Sequence, residues 1–170
     1  MAGKKIFQIV GFQNSGKTTL MKKLIEACKD KGLEVGTIKH HGHGGPPERL
    51  VINKDSEQHR LAGAKITAVE GAGTLHIEAT KDQWELENII EIYRRLPIDI
   101  ILVEGYKKMN YPKVVLLRNA QDEFLLDDLT NITAVISREP LRSDRLSVPF
   151  FETMETEDFV QWFIKKINED

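Results

Sequence analysis

The sequence predicts an α/β protein: a doubly wound P-loop NTPase fold, with a mostly parallel sheet and helices on both faces. Three observations carry that expectation. Short, continuously apolar runs alternate with amphipathic helical stretches, as strands buried on both faces require. A glycine-rich loop sits between the first apolar run and the first helix. No repeat, low-complexity tract or linker divides the chain, so residues 1–170 read as a single domain.

The elements follow in order. Residues 5–10, KIFQIV, read as a buried strand, and residues 18–31 as a helix closed by Gly32. Leu20, Leu24 and Cys28 recur at helical spacing, which makes Cys28 a core residue rather than a reactive thiol. A second strand covers 35–38, and a loop rich in His, Gly and Pro runs from 40 to about 53. Asp55 or Ser56 is placed to cap a short helix reaching Ala62. Strands are expected at 66–69 and 75–79, the latter alternating in polarity like an edge strand. Asp82 and Glu85 have capping-box spacing ahead of a helix with Leu86, Ile89, Ile90 and Tyr93 inward, stopped by Pro97. Residues 98–103 form the strongest apolar run, and further strands are expected at 113–117 and 132–136. The polar stretch 119–131 between those two reads as a surface excursion. A final helix over 157–167 presents Phe159, Val160, Phe163, Ile164 and Ile167 on one face.

The chemistry begins at Gly11-Phe12-Gln13-Asn14-Ser15-Gly16-Lys17-Thr18, a G-x-x-x-x-G-K-T phosphate-binding loop. Its glycines bring backbone N–H groups against phosphate oxygens. Lys17 can reach the β- and γ-phosphates, and the Thr18 hydroxyl can hold Mg²⁺. A helix starting at the loop adds unpaired N–H groups and the positive end of its dipole. Gly11, Gln13, Asn14, Ser15, Gly16, Lys17, Thr18 and Thr19 are therefore the candidate nucleotide-binding residues.

A P-loop site also needs an acid after a buried strand, to hold the metal or its waters. Val69-Glu70-Gly71 and Val103-Glu104-Gly105 share that pattern. Glu104 follows the longer and more apolar run, so Thr18 and Glu104 are the metal candidates, with Glu70 second. Both acids, the P-loop and the His-rich loop fall at strand carboxyl ends, where α/β ligands bind, and are expected to converge. Asp99 opens the Glu104 strand and belongs at the opposite end of the sheet. Lys39-His40-His41-Gly42-His43 has three readings: a phosphate or substrate contact through Lys39 and His40, a polar surface loop, or a transition-metal site. Clean metal-ligand spacing and a nearby cysteine are both missing from it. His59 and His76 stand alone and read as structural. Asn53-Lys54-Asp55 lacks the intervening residue of the guanine-reading N-K-x-D motif, so base specificity does not follow from motifs. On topology, residues 137–140 are where a base contact would lie.

Bulk properties exclude several classes. With a net charge of -2 and no basic stripe, nothing draws nucleic acid. No apolar run approaches the ~20 residues of a membrane span, and the start of the chain lacks a signal peptide's pattern. One cysteine forms no internal disulfide, which suits a cytoplasmic protein.

These residues resemble the MobB family, the GTP-binding adapters of molybdopterin-guanine dinucleotide biosynthesis. The resemblance runs over about residues 5–118. It is carried by residues 10–19, Gly36-Thr37-Ile38-Lys39-His40, Lys54-Asp55-Ser56 with Arg60 and Ala62-Gly63-Ala64, Leu102-Val103-Glu104-Gly105-Tyr106-Lys107, and residues 113–118. It implies GTP with Mg²⁺, at most slow intrinsic GTP hydrolysis, and a homodimer. It also implies partnership with the guanylyltransferase that attaches GMP to molybdopterin, and the molybdopterin cofactor is a further candidate partner. Gly42 interrupts the family's further histidine pair, so no role transfers to His41 or His43.

Two other classes stay open at this point. A stand-alone small-molecule kinase or ATP-dependent ligase is one, since Val69-Glu70-Gly71-Ala72-Gly73 resembles a dethiobiotin-synthetase segment. A metal-delivery GTPase, with the histidines as its store, is the other. The absence of an evident acceptor-activating base in the sequence favours the adapter.

Overall fold

The structure is a computed structural model, and it describes residues 4–42, 54–141, 147–152 and 156–169. Six strands form one parallel sheet: β1 (Lys5–Gly11), β2 (Val35–Lys39), β5 (Ile100–Glu104), β6 (Lys113–Leu117), β7 (Ile132–Ser137) and β8 (Phe150–Glu152). Their order is β2-β5-β1-β6-β7-β8. Every pairing in it is parallel, with Ile9 opposite Glu104 on one side of β1 and Val114 on the other. Strands β3 (Ile66–Gly71) and β4 (Thr74–Ala79) form a separate antiparallel hairpin.

Alternate side chains of the parallel strands enter two layers, which is why their sequences are apolar throughout. Phe7, Ile9, Ile100, Leu102, Val114, Leu116, Ala134 and Ile136 face α1 (Lys17–Asp30) and α4 (Thr156–Glu169). Leu20, Leu24 and Cys28 of α1 and Phe159, Phe163 and Ile167 of α4 complete that layer. Burial pushes the Cys28 thiol up to about 11, which keeps it protonated and inert at neutral pH. On the other face, Ile101 and Val103 pack against Leu86 and Ile90 of α3 (Leu86–Tyr93). Val10, Val115, Leu117 and Val135 pack against Leu125 of a 3₁₀ helix, Ala120–Leu126. The predicted fold class, with helices on both faces of a mostly parallel sheet, is the one observed.

Helix α1 ends as its glycine predicts. Gly32 has φ +73°, its N–H donates to the Lys29 carbonyl, and the Leu33 N–H donates to the Cys28 carbonyl. Other boundaries move. Helix α2 (Lys54–Leu61) already begins at Lys54, which puts Asp55 and Ser56 inside its first turn rather than at the cap. The capping box of α3 lies three residues later than its expected position. Glu85 is the extended N-cap, and the Asn88 side chain accepts from its backbone N–H. The same helix stops at Tyr93, four residues before Pro97, through tighter i→i+3 bonds from Arg95 and Leu96.

The stretch 119–131 is not a simple excursion. Asn119 caps the 3₁₀ helix by accepting from Gln121 N–H, and Leu125 is buried against the sheet. Asp122 is buried too, and Arg118 neutralises it with two side-chain hydrogen bonds of 2.8 Å. That guanidinium holds the Asp122 carboxyl below its usual range. Strand β8 was not expected from the sequence at all. Strands β3 and β4 do not join the main sheet: Ile66, Leu75 and Ile77 on one face of their hairpin are all more than half exposed.

Candidate functional site

The P-loop lies at the carboxyl end of β1, with β5 on one side and β6 on the other, the switch-point position where α/β sheets bind ligands. Its shape depends on glycine. At Gly11, with φ +156°, a Cβ would come within 2.6 Å of both the Leu116 carbonyl oxygen and Ser15 Oγ. Gly16 is the left-handed N-cap of α1 and supplies no side chain to its first turn, so those N–H groups stay open to an anion. Asn14 also has positive φ, 61°, and its carbonyl accepts from Arg138 at 3.3 Å. Gln13, Thr18 and Thr19 are exposed on the rim of the loop, whereas Ser15 is buried.

Lys17 folds back over the loop, its Nζ donating to the Phe12 carbonyl at 2.6 Å. Burial lowers the pKa of this ammonium, and Glu104 pulls it back up. Glu104 itself is buried at the end of β5. One carboxylate oxygen accepts from the Thr18 hydroxyl at 3.5 Å, and the other pairs with Lys39 at 3.3 Å. Thr18 and Glu104 thus bring two hard oxygen donors together beside the phosphate loop, a donor set that fits Mg²⁺. Glu70 is elsewhere: exposed on β3, opposite Leu75 in the hairpin, and outside the parallel sheet whose ends build the site. The expected convergence of both acids on one site is therefore corrected to Glu104 alone. Asp99 lies at the far end of β5, accepting from the Glu34 N–H at 2.8 Å.

His40 reaches the site by its backbone and ring. Its N–H donates to the Glu104 carbonyl at 2.9 Å, and its ring lies 4.4 Å from that of Tyr106. His41 is exposed, His43 lies outside the described residues, and among the described residues no cluster of three metal-ligating side chains occurs. His59 and His76 are exposed on α2 and β4.

Several contributors escaped the sequence. Gln8 is fully buried in the middle of β1. Its amide nitrogen donates to the carbonyls of Gly105 and Tyr106 at 3.0 and 2.9 Å. Those two residues both have positive φ, 97° and 51°, so Gln8 clamps the turn immediately after Glu104. Fully buried Lys113 supports the same connection by donating to the carbonyls of Met109 and Thr130. Phe12 is the third: Lys107 Nζ lies 4.2 Å from its ring centroid and the Arg118 guanidinium carbon 4.9 Å. The signal available for Gln8 and Lys113 was a polar residue inside an otherwise apolar run.

A cleft of about 160 Å³ opens beside the loop, lined by Ser15, Gly16, Thr19, Lys23, Ile136 and Arg138 among others. Ser15 lines it, and Ser15 Oγ is buried with no hydrogen-bond partner. Arg138 belongs to the segment after β7 that topology had singled out. A larger hollow of about 480 Å³ beside the 3₁₀ helix contains none of the loop residues.

A parallel, doubly covered sheet with a G-x-x-x-x-G-K-T loop at the end of an interior strand defines an α/β protein of the P-loop class. Comparison with known proteins narrows the class. The family described as "MobB: Molybdopterin guanine dinucleotide synthesis protein B" matches residues 6–138. A Bacillus subtilis relative, "Probable molybdopterin-guanine dinucleotide biosynthesis adapter protein", is 42% identical over 86% of this chain and 84% of its own. The Escherichia coli "Molybdopterin-guanine dinucleotide biosynthesis adapter protein" is 32% identical over 99% of both. The crystal structure of a MobB protein homologue from Bacillus stearothermophilus superposes with a TM-score of 0.81 at 36% identity, covering 97% of this chain and 99% of that one. The chain belongs to the MobB family.

The two acids give a testable contrast. Glu104→Gln should abolish the enhancement of nucleotide binding by Mg²⁺, whereas Glu70→Gln should leave it intact. Titration with and without Mg²⁺ measures both, and a larger loss at Glu70 would mean the wrong strand end was chosen.

Proposed function

We propose that this protein is an adapter of molybdopterin-guanine dinucleotide biosynthesis that binds GTP with Mg²⁺ and assists a molybdopterin guanylyltransferase. One observation carries the reading: the P-loop, Thr18 and Glu104 assemble at one sheet end in a chain whose relatives are named as adapters of that biosynthesis. Gly11 and residues Gln13 to Thr19 would cradle the phosphates, and Lys39 would add charge beside Glu104. His40 would buttress the acid's strand end. The cleft at Ser15 and Arg138 is the place for the nucleoside.

Slow turnover fits this arrangement. Hydrolysis of a triphosphate needs a group that positions water and a cation on the developing charge. Thr18 and Glu104 are committed to each other and to the metal position, which leaves neither to position the attacking water. A partner surface or bound molybdopterin would complete the site. A homodimer is part of the proposal. The exposed apolar face of the hairpin, Ile66, Leu75 and Ile77, with Leu61 of α2 exposed as well, favours association. Sedimentation should give the mass of two chains, and a monomer at all concentrations would remove that part.

The test is steady-state hydrolysis of GTP and ATP by the isolated protein, with and without a guanylyltransferase and molybdopterin. Slow GTP turnover that rises with the partner is expected. Fast turnover by the protein alone, or phosphoryl transfer to a small molecule, would favour the kinase or ligase reading instead.

A further inference from the structure

The geometry points to Lys107 as the residue that reads the terminal phosphate of a nucleoside triphosphate. The inference rests on the nucleotide-binding reading above and names how that site tells a triphosphate from a diphosphate.

Phe12 joins two ammonium groups. Its carbonyl accepts from Lys17 Nζ, and its ring carries Lys107 Nζ at 4.2 Å. Lys107 is therefore close enough to the P-loop lysine that its charge disfavours the Lys17 ammonium. Which end of the nucleotide it faces follows from the chain. Lys107 comes three residues after Glu104, the acid beside Thr18. Lys17, on the same Phe12, is the residue that reaches the β- and γ-phosphates in such a loop, so Lys107 would meet the phosphate chain near that end. The nucleoside cleft, with Arg138 on Asn14, is lined by other residues.

Two other cations of the cluster have carboxylate partners within ion-pair distance, whereas Lys17 Nζ is on the Phe12 carbonyl. Lys39 pairs with Glu104, and Arg118 holds Asp122 with two hydrogen bonds. Lys107 has the Phe12 ring, and no carboxylate within ion-pair distance among the described residues. It is half-buried, and that burial disfavours its charged form, while the Asp122 carboxylate nearby favours it and Arg118 opposes it. A cation kept on a ring at the edge of a phosphate loop, near a carboxylate that Arg118 already holds with two hydrogen bonds, gains from an anion that arrives there.

Its backbone is not free to drift. Gly105 and Tyr106 hold left-handed conformations, and a Cβ at Gly105 would come within 3.0 Å of the His40 Cβ. Gln8 fixes both carbonyls from inside the sheet. The turn is pre-set, so only the Lys107 side chain has to leave the ring to meet a phosphate.

The experiment compares GTP and GDP in Mg²⁺. Lys107→Ala should lose affinity for GTP by about ten- to one-hundred-fold, the range of one charge-assisted hydrogen bond. Its affinity for GDP should change by less than about threefold, as a cation with no phosphate to meet is worth little. A second measurement needs no variant. An amine-acetylating reagent, read by mass spectrometry, should modify Lys107 in the wild-type protein alone and with GDP, and GTP should protect it. Equal loss of GTP and GDP affinity, an unchanged GTP/GDP ratio, or equal labelling with both nucleotides would overturn the assignment and leave the nucleotide reading standing. Wild-type protein that binds neither nucleotide would overturn both.

Discussion

Lys17→Ala should lose nucleoside triphosphate binding by at least about thirty-fold, as removal of one buried partner of a charged contact costs about 2–5 kcal/mol. The lysine sits over the loop with its Nζ on the Phe12 carbonyl, and burial already disfavours its charge. Part of its water is already gone before phosphate arrives, which strengthens the contact. The fold should survive. Lys17 is not a core residue, and the charges of Lys39, Lys107 and Arg118 all oppose its own. Removing it relieves that repulsion while giving up the attraction of Glu104. Calorimetric titration and thermal melting check the two halves. Unchanged affinity in a folded variant would remove the P-loop assignment.

The largest loss of stability is expected at Phe163. Its ring is fully buried between α4 and the sheet, 5.0 Å from Phe7 in an edge-on contact and 6.4 Å from Phe159. Phe163→Ala leaves a cavity in the layer that also holds Leu20 and Leu24 of α1. A large-to-small change of this kind costs about 3–5 kcal/mol. Urea unfolding should show that drop with little change in slope. A cost under about 1 kcal/mol would mean that α4 does not clamp α1 to the sheet, and that the P-loop helix is held by other contacts.

What the sequence revealed and what it hid divide along a physical line. Local rules were legible. Gly32 ends α1 because only a residue free to take positive φ closes that turn cheaply, and Leu20, Leu24 and Cys28 were readable as core from their spacing. The places of the G-x-x-x-x-G-K-T loop after β1 and of Glu104 at the end of β5 were legible for the same reason, since each follows from residue types read next to those elements. Long-range pairing was not legible. An alternating strand such as Thr74–Ala79 reads the same in a hairpin as at the edge of the main sheet, because the pattern says that one face is apolar but not what covers it. Residues 119–131 read as surface for their charge. Asp122 is buried only because Arg118 reaches it, a pairing the i,i+4 spacing allowed but did not demand. Gln8 and Phe12 belong to the same class. Their roles lie in partners about a hundred residues away, Gly105, Tyr106 and Lys107, which only the parallel register of β1 and β5 brings alongside.

The central claim is that this sheet end holds GTP and Mg²⁺. Calorimetric titration of the wild-type protein with GTP and with ATP, each with and without Mg²⁺, tests it most directly. Saturable binding of one nucleotide per chain, tighter for GTP and strengthened by Mg²⁺, is the predicted result. No binding of GTP, or binding indifferent to Mg²⁺, would contradict it.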